Sequence, residues 1–141
     1  MRHSMRERLV GWRLPEGTCS DAILIASELT TNALVHTLSR RLLCGVGLVT
    51  DECLRLEVHD QGDPYVSPAA CEPDSGEESG RGLLLVHHMA SAWGCARSTI
   101  TGGNAVWATM SLPSGVHARA LPPRAHGTAH AAPGRTGFER G

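Results

Sequence analysis

The feature that most constrains the fold is a helical segment, Cys19 to about Leu38, that is apolar on most of its sides. One arc of it carries Ala22, Ile25, Ala26, Leu29 and Ala33, and the opposite side carries Ile23 and Leu34. A helix with this distribution is buried rather than laid on a surface. Thr18, with Asp21 three residues later, offers it an N-cap close to a capping box.

Four segments are predicted to be strands. Leu54 to His59 alternates apolar and polar residues, which turns Leu54, Leu56 and Val58 inward. The other three predicted strands are Leu42 to Val49, Gly94 to Ile100 and Ala105 to Leu112. Turn residues at Thr50–Glu52 and Thr101–Asn104 join the four strands into two hairpins.

Two more helices, His3 to Trp12 and Gly82 to Ala92, and a proline-broken loop from Gln61 to Ser79 complete the order. This order predicts an α/β (α+β) two-layer sandwich: a mostly antiparallel mixed sheet of about four strands with helices on one face. Residues 1–113 are predicted to form one domain. Residues 114–141, rich in Ala, Pro, Gly, His and Arg without any period, are predicted to be a disordered tail.

Charge and residue types exclude several function classes. All 13 basic residues are arginines, so the lysine of a Walker-type phosphate loop or of an ordinary protein-kinase lobe cannot exist here. A formal net charge of -1 argues against nucleic-acid binding. No apolar run is long enough to span a bilayer, and nothing resembles a signal peptide, so we expect no membrane association and a cytoplasmic location.

The cysteines and histidines allow a competing class, a metal-linked Cys/His regulator. The five cysteines form no CxxC pair, and the adjacent His87 and His88 point about 100° apart on a helix, which is poor for chelation. Disulfides are not expected in a cytosolic protein. Small buried cysteines are therefore the preferred interpretation, and stoichiometric zinc in the purified protein is the test of the alternative.

Glu28 and Asn32 are one turn apart on one face of the buried helix, and His36 continues the row. A charged residue beside an apolar arc is costly unless it is paired or serves a site. Taken alone, the row is more often a surface stripe, since charged residues are seldom buried without partners.

Asp60 follows the inward Val58 by two residues, so its carboxylate is predicted to face the core side at the end of a strand. A buried acceptor there suits a donor such as a ligand amino group. The alternative is an Asx-turn that caps the loop at Gln61 and Gly62. Gly62 would also allow a flat ring to approach the backbone.

Gly80, Arg81 and Gly82 are predicted to lie immediately before a helix. Free backbone N–H groups and the helix dipole make such a place an anion site. A single GxG is weak support, because glycines also simply end loops, and Arg81 could contact phosphate or solvent.

Together these three segments resemble the histidine-kinase-like (Bergerat-fold) ATPase superfamily of gyrases, chaperones, histidine kinases and mismatch-repair proteins. The matching strings are Glu28-Leu-Thr-Thr-Asn32-Ala-Leu-Val-His36, Val58-His-Asp60-Gln-Gly62 and Gly80-Arg-Gly82-Leu-Leu-Leu-Val86. Three later strings, Met89-Ala-Ser-Ala-Trp93-Gly94, Gly103-Asn-Ala-Val-Trp107 and Leu112-Pro113, are most similar to the small anti-sigma-factor serine/threonine kinases, stand-alone regulators of actinobacteria. The resemblance covers residues from about 19 to 113.

The resemblance implies ATP and Mg²⁺ as ligands and a role for each motif residue. Asn32 would ligate the metal, Glu28 would be the general base, and Asp60 with Gly62 would bind the adenine. Gly80 and Gly82 would let the lid and the helix N-terminus surround the phosphates. The implied nucleotide-binding set is completed by His36, Arg81 and Leu83.

The resemblance also implies partners: a sigma factor, an antagonist (anti-anti-sigma) protein that is phosphorylated, and a second copy in a homodimer. Three departures from the family pattern motivate an alternative, a non-catalytic ATP-binding module that presents a partner surface. Pro64 replaces a glycine of the first glycine box, Ala105 stands where a threonine is expected, and the N-terminal elements are short.

Overall fold

The computed structural model describes residues 1–36, 39–62, 78–113 and 135–140. Its elements in chain order are α1 (Arg2–Gly11), α2 (Glu16–His36), β1 (Leu43–Thr50), β2 (Cys53–His59), α3 (Glu78–Met89), β3 (Ala92–Arg97), β4 (Asn104–Ser111) and β5 (Arg135–Arg140). The predicted order of the first seven elements is confirmed. Pro64 lies outside the described residues, as does most of the predicted loop.

The strands form one sheet in the order β3-β4-β2-β1-β5. All four pairings between neighbouring strands in the described ranges are antiparallel, in agreement with the predicted mostly antiparallel sheet. The two predicted hairpins, β1–β2 and β3–β4, are both present, and β2 against β4 joins them in the centre. The α+β two-layer class with helices on one face is confirmed.

A fifth strand comes from the segment that was predicted to be disordered. Arg135–Arg140 pairs with β1, with Leu43 opposite Arg140 and Gly45 opposite Phe138. Backbone pairing does not require an alternating apolar pattern at the edge of a sheet, and this segment has none. The prediction of disorder is therefore wrong for these six residues, and the domain limit at residue 113 stays a prediction.

The core lies between α2 and the sheet. Leu54 and Leu56 on β2 are 0% exposed, as are Ile25 and Leu29 on α2, which confirms the predicted inward face of both elements. Full burial of one such side chain stabilises the fold by about 1.5–3 kcal/mol. α2 contacts β2, β4 and α3. It is therefore fixed from several sides, and its polar face is held in a defined position.

Two helix starts differ from the predictions. α2 begins at Glu16, and the Cys19 N–H donates to the Pro15 carbonyl at 3.0 Å, so Thr18 lies inside the first turn and is not the N-cap. α3 begins at Glu78, so Gly80, Arg81 and Gly82 lie within its first turns and not before it. The cost of the α3 glycines in a helix is about 1 kcal/mol each. Gly82 is held there because α3 packs closely on α2.

Candidate functional site

The middle of α2 presents Glu28 and Asn32 one turn apart. Asn32 is 8% exposed, and its side-chain oxygen Oδ1 is buried with no hydrogen-bond partner in the described part of the chain. An unsatisfied buried acceptor of this kind costs about 1–3 kcal/mol. Carbonyl oxygens are ligands that suit Mg²⁺. The orphaned amide oxygen therefore fits the predicted metal-ligand role of Asn32.

Glu28 contacts the start of α3. The space where a Cβ atom would stand on Gly82 is taken by the Glu28 carboxylate oxygen Oε2, closer than real Cβ atoms come to any neighbour. Only glycine therefore fits at position 82 without moving this carboxylate. The structure thus brings together two predicted site residues that are far apart in sequence.

The earlier start of α3 changes which residues of the predicted anion site can offer free backbone donors. The N–H groups at the start of a helix have no intrahelical acceptor, and in α3, which begins at Glu78, they include those of residues 78–80. Gly80 therefore still offers a backbone donor of the kind that binds phosphates at helix N-termini, whereas Arg81 and Gly82 lie beyond the free N–H groups. The side chains of Arg81 and His36 lie outside the described residues, and Leu83 is buried at 2% exposure.

Asp60 is buried at the end of β2, as predicted from the strand alternation, and is 5% exposed. Its Oδ1 accepts hydrogen bonds from the Gly62 N–H at 2.8 Å and the Asn104 N–H at 3.0 Å. The first of these bonds closes the Asx-turn that was the alternative interpretation. The second carboxylate oxygen, Oδ2, accepts nothing from the described residues, so the turn and a ligand can use the same side chain.

The loop between β3 and β4 holds Asp60 from the other side. The Asp60 N–H donates to the Asn104 carbonyl at 2.8 Å, and the Thr101 hydroxyl donates to the Asp60 carbonyl. A Cβ atom on Gly103 would stand 2.6 Å from Asp60 Oδ1 and 2.9 Å from the Asp60 carbonyl carbon. Gly103 is therefore required for this close approach of two backbone segments.

A buried polar network anchors this loop, and no sequence pattern predicted it. The His59 ring lies 2.9 Å from the Ser98 hydroxyl through Nδ1 and 3.0 Å from the Glu57 carboxylate through Nε2. The Ser98 oxygen also accepts from the N–H groups of Ile100 and Thr101, at 3.1 and 2.9 Å. The network thus fixes the turn between β3 and β4, in which Thr101 contacts Asp60.

Residues at odd positions of β2 were predicted to be the outward ones, yet Glu57 is 4% and His59 2% exposed. Arg55 pairs with Glu57 at 2.6 Å and lies over the Trp107 ring at 4.5 Å. Strict alternation shows that Arg55, Glu57 and His59 share one face of the sheet. It does not show whether that face is buried. A glutamate and a histidine two apart on one strand are the sequence signal that could have suggested a buried pair.

Ala105 is not at the site. It pairs with His59, so it lies on the sheet face away from the helices. The neighbouring Asn104 lies on the helix face, next to Asp60. The departure attributed to Ala105 therefore lies on the opposite face of the sheet from Asp60.

The end of α2 and the end of β2 are tied together. The Gln61 N–H donates to the Ser39 hydroxyl at 2.9 Å. Ser39 lies three residues after the end of α2, and Gln61 directly follows Asp60. A cavity of about 240 Å³ adjoins this tie, lined by Arg41, Leu42, Leu43, Gln61, Ile100 and Thr101. Asp60 and the α2 polar row thus lie at the same end of the domain, although no direct contact joins Asp60 to Asn32 in the described ranges.

Within the described ranges, no three His, Cys, Asp or Glu side chains come together as a metal site. Cys19 and Cys44 are buried thiols and Cys53 is a half-buried one, and none of the three is in a disulfide. Cys95 forms a disulfide, which corrects the expectation of no disulfides. Cys95 lies on β3, a strand at the edge of the sheet, where another segment can reach it.

Comparison with known proteins gives one matching family and a similar solved structure. Residues 1–110 match the family described as "Histidine kinase-like ATPase domain". Among solved structures, the chain is similar to the histidine kinase domain of the Erythrobacter litoralis EL346 blue-light activated histidine kinase. The identity is 29% and the TM-score 0.47, with 67% of this chain and 45% of that chain covered. This chain therefore spans less than half of that domain's chain, and no curated protein matches it.

None of the helices in the described ranges combines the length and apolar character that crossing a membrane requires.

Proposed function

The chain belongs to the histidine kinase-like ATPase domain family, and from this premise we propose that it is an ATP- and Mg²⁺-dependent regulatory serine/threonine kinase of the anti-sigma-factor type. The single observation that carries the proposal is the Glu28 carboxylate packed against Gly82 at the start of α3. It sets a base beside backbone N–H groups that suit phosphates. The later strings from Met89 to Pro113 support the anti-sigma type by their resemblance.

Each residue has one task in this proposal. Asp60 Oδ2 accepts from the adenine amino group, while Oδ1 stays in the Asx-turn. Gly80 donates its backbone N–H group to a phosphate oxygen. Asn32 Oδ1 would hold Mg²⁺, which would supply charge neutralisation when bound. None of these tasks needs a lysine, in agreement with the composition.

Glu28 takes the proton from a serine or threonine hydroxyl of the antagonist protein. The hydroxyl oxygen forms a bond to the γ-phosphorus, the bond from that phosphorus to the bridging oxygen breaks, and ADP leaves. The phosphorylated antagonist and a sigma factor are the proposed partners. A cytoplasmic location and a homodimer are part of the same proposal.

Glu28→Gln tests the base. We expect phosphotransfer to fall about 100-fold or more, the range of general-base catalysis, while the Kd for ATP, measured by calorimetry, changes less than about threefold. Asp21→Asn is the matched control, because Asp21 is an exposed acid on the same helix. Phosphotransfer at the wild-type rate in Glu28→Gln contradicts the assignment.

Phosphotransfer is measured with labelled ATP and candidate antagonist proteins from the same genome. A labelled serine or threonine in an antagonist supports the kinase. ATP bound with no labelled protein favours the alternative, a non-catalytic module that uses ATP to present a partner surface. Failure of the well-folded chain to bind ATP contradicts both.

A further inference from the structure

His59 is a buried titratable residue that the proposed phosphotransfer does not use. It lies on the sheet face away from the helices and is 2% exposed. Its Nδ1 atom is 2.9 Å from the Ser98 hydroxyl, and its Nε2 atom is 3.0 Å from Oε2 of Glu57. The other oxygen of that carboxylate accepts from Arg55 Nε at 2.6 Å. Both ring nitrogens of His59 therefore have a defined partner, and the orientation of the ring is fixed.

The hydrogen-bond directions around Ser98 determine where His59 carries its proton. A hydroxyl oxygen accepts two hydrogen bonds and donates one. Ser98 Oγ accepts from the N–H groups of Ile100 at 3.1 Å and Thr101 at 2.9 Å, so the hydroxyl hydrogen is what it offers to Nδ1. Nδ1 is then the acceptor, and Nε2 carries the hydrogen that Glu57 accepts. The network is complete only with a neutral ring that is protonated at Nε2.

Ser98 connects this ring to Asp60 on the other face of the sheet. The Ser98 N–H donates to the Gly103 carbonyl at 2.8 Å, which closes the turn between β3 and β4. Within that turn the Thr101 hydroxyl donates to the Asp60 carbonyl, and Gly103 has no room for a side chain against the Asp60 backbone. The position of the turn, and with it the surroundings of Asp60, therefore depends on Ser98.

Protonation of His59 would break this connection at one bond. A second proton, on Nδ1, would point at an oxygen whose two acceptor positions are already occupied, and the Ser98 hydroxyl hydrogen would lose its acceptor. The imidazolium would keep its Nε2–H bond to the Glu57 carboxylate. The ring would thus stay paired with Glu57 while Ser98 and the turn are released.

We propose that His59 is a positioning residue that makes nucleotide binding depend on pH: the neutral ring holds the β3–β4 turn against Asp60, and protonation at Nδ1 releases the turn. This inference rests on the proposed nucleotide binding and adds a regulation of the same site. ATP should therefore bind more tightly to the protein with a neutral His59, and bound ATP should in turn favour the neutral ring, since linkage is reciprocal.

The residues around His59 set the electrostatic background of its protonation. Three residues stand in register with it across the sheet, Ala105 on β4, Leu43 on β1 and, next to Leu43, Arg140 on β5. On β2 itself the charged residues of the same face are Glu57 and Arg55, which carry opposite charges and are bound to each other. The pH response therefore has to be compared with that of a variant that keeps all of these residues and changes only the ring.

His59→Gln separates the proton from the hydrogen bonds. A glutamine amide can accept from Ser98 through its oxygen and donate to Glu57 through its nitrogen, but it does not titrate. The Kd for ATP with Mg²⁺ is measured by calorimetry at about pH 8 and about pH 5.5, a span in which histidines ordinarily gain a proton. The proteins are wild type, His59→Gln and the matched control His88→Gln, whose histidine is exposed on α3. Protonation of ATP affects all three equally, so only differences between the proteins are used.

At about pH 8 the three proteins should bind ATP within about threefold of one another. At about pH 5.5 wild type and His88→Gln should bind ATP about five- to tenfold more weakly than His59→Gln, as for the loss of about one hydrogen bond. Equal Kd values for the three proteins at the acid end overturn the inference alone. Wild-type protein that binds no ATP at either pH overturns the proposed function, and the inference with it.

Ser98→Ala provides a second test that does not depend on how well glutamine replaces the ring. Without the Ser98 hydroxyl, protonation of His59 has no bond to the turn to break. Ser98→Ala should therefore bind ATP about five- to tenfold more weakly than wild type at about pH 8 and equally well at about pH 5.5. If the Kd of Ser98→Ala changes between the two pH values by the same factor as that of wild type, the turn does not respond to the proton and the inference is overturned.

Discussion

At the scale of single residues, two glycines decide how closely the site segments approach. Gly82 leaves room for the Glu28 carboxylate, and Gly103 leaves room for the Asp60 backbone. The two differ in what a methyl group would displace. At Gly82 it meets the far end of a flexible side chain, whereas at Gly103 it meets atoms of the main chain. Gly82 is therefore the position where geometry can be changed without much loss of stability.

Gly82→Ala should displace the Glu28 carboxylate and lower phosphotransfer about tenfold or more, since misplaced catalytic groups are inefficient. The free energy of unfolding should be unchanged or higher by up to about 1 kcal/mol, because alanine favours helices. Gly17→Ala, a helical site with open space around it, is the control. Full phosphotransfer in Gly82→Ala would show that the contact has no catalytic role.

Cys19 gives the fold a dependence on alkaline pH. Burial, followed by the nearby Glu16 carboxylate, raises the pKa of this thiol above its ordinary value of 9.0. Above pH 9.0 the unfolded chain therefore loses the thiol proton while the folded chain keeps it. The stabilising contribution of the neutral thiol is complete below that pH and is lost as the pH rises towards the folded-state pKa.

Urea unfolding of wild type and Cys19→Ala at several pH values checks this dependence. Above pH 9.0, the wild-type free energy of unfolding should fall more steeply than that of the variant, by at most about 1.4 kcal/mol per pH unit. Parallel curves for the two proteins would contradict the raised pKa.

At the scale of elements, α1 is a packing element that closes one end of the core. Met5, Leu9 and Trp12 are buried, and Arg6 pairs with Glu16 at the start of α2. The exposed pair contributes little, as surface ion pairs usually do. Most of the stabilisation that α1 provides should therefore come from Leu9, which is 0% exposed.

Leu9→Ala should lower the free energy of unfolding by about 2–5 kcal/mol, as expected for a truncated core leucine. Val10→Ala is the matched control, because the neighbouring Val10 is 53% exposed. Its effect should stay within about 0.5 kcal/mol. Equal effects of the two substitutions in denaturant titration would show that α1 does not pack as described.

The elements also show which features a sequence pattern can predict. The alternation in Leu54–His59 correctly predicted which side of β2 faces the helices, and the apolar arc correctly predicted the buried side of α2. Both predictions succeeded because the spacing of apolar residues follows the buried side of an element. It did not reveal that Glu57 and His59 are buried too. Nor did it locate β5, whose pairing depends on backbone groups. Glu28, Asn32 and Asp60 were predicted as site residues from motifs, whereas the contact between Asp60 and Asn104 needed the register of β4.

At the scale of the whole molecule, β5 covers the free side of β1. A sheet edge without such cover presents unpaired N–H and C=O groups that invite other strands. The fragment 1–113 should therefore unfold at a lower urea concentration than the full chain and should self-associate in sedimentation experiments. Phe138→Pro in the full chain, which removes the N–H opposite Gly45, should reproduce part of both effects. Identical behaviour of fragment and full chain would contradict a stabilising β5.

The pairing of β1 with β5 also sets an order of assembly during synthesis. β1 is the first strand to leave the ribosome, and it pairs almost at once with β2 in a hairpin. Its other neighbour, β5, is synthesised only after β4. Distant pairings of this kind form late because the loop must close first. One flank of the nascent domain therefore stays accessible to chaperones until translation passes residue 140.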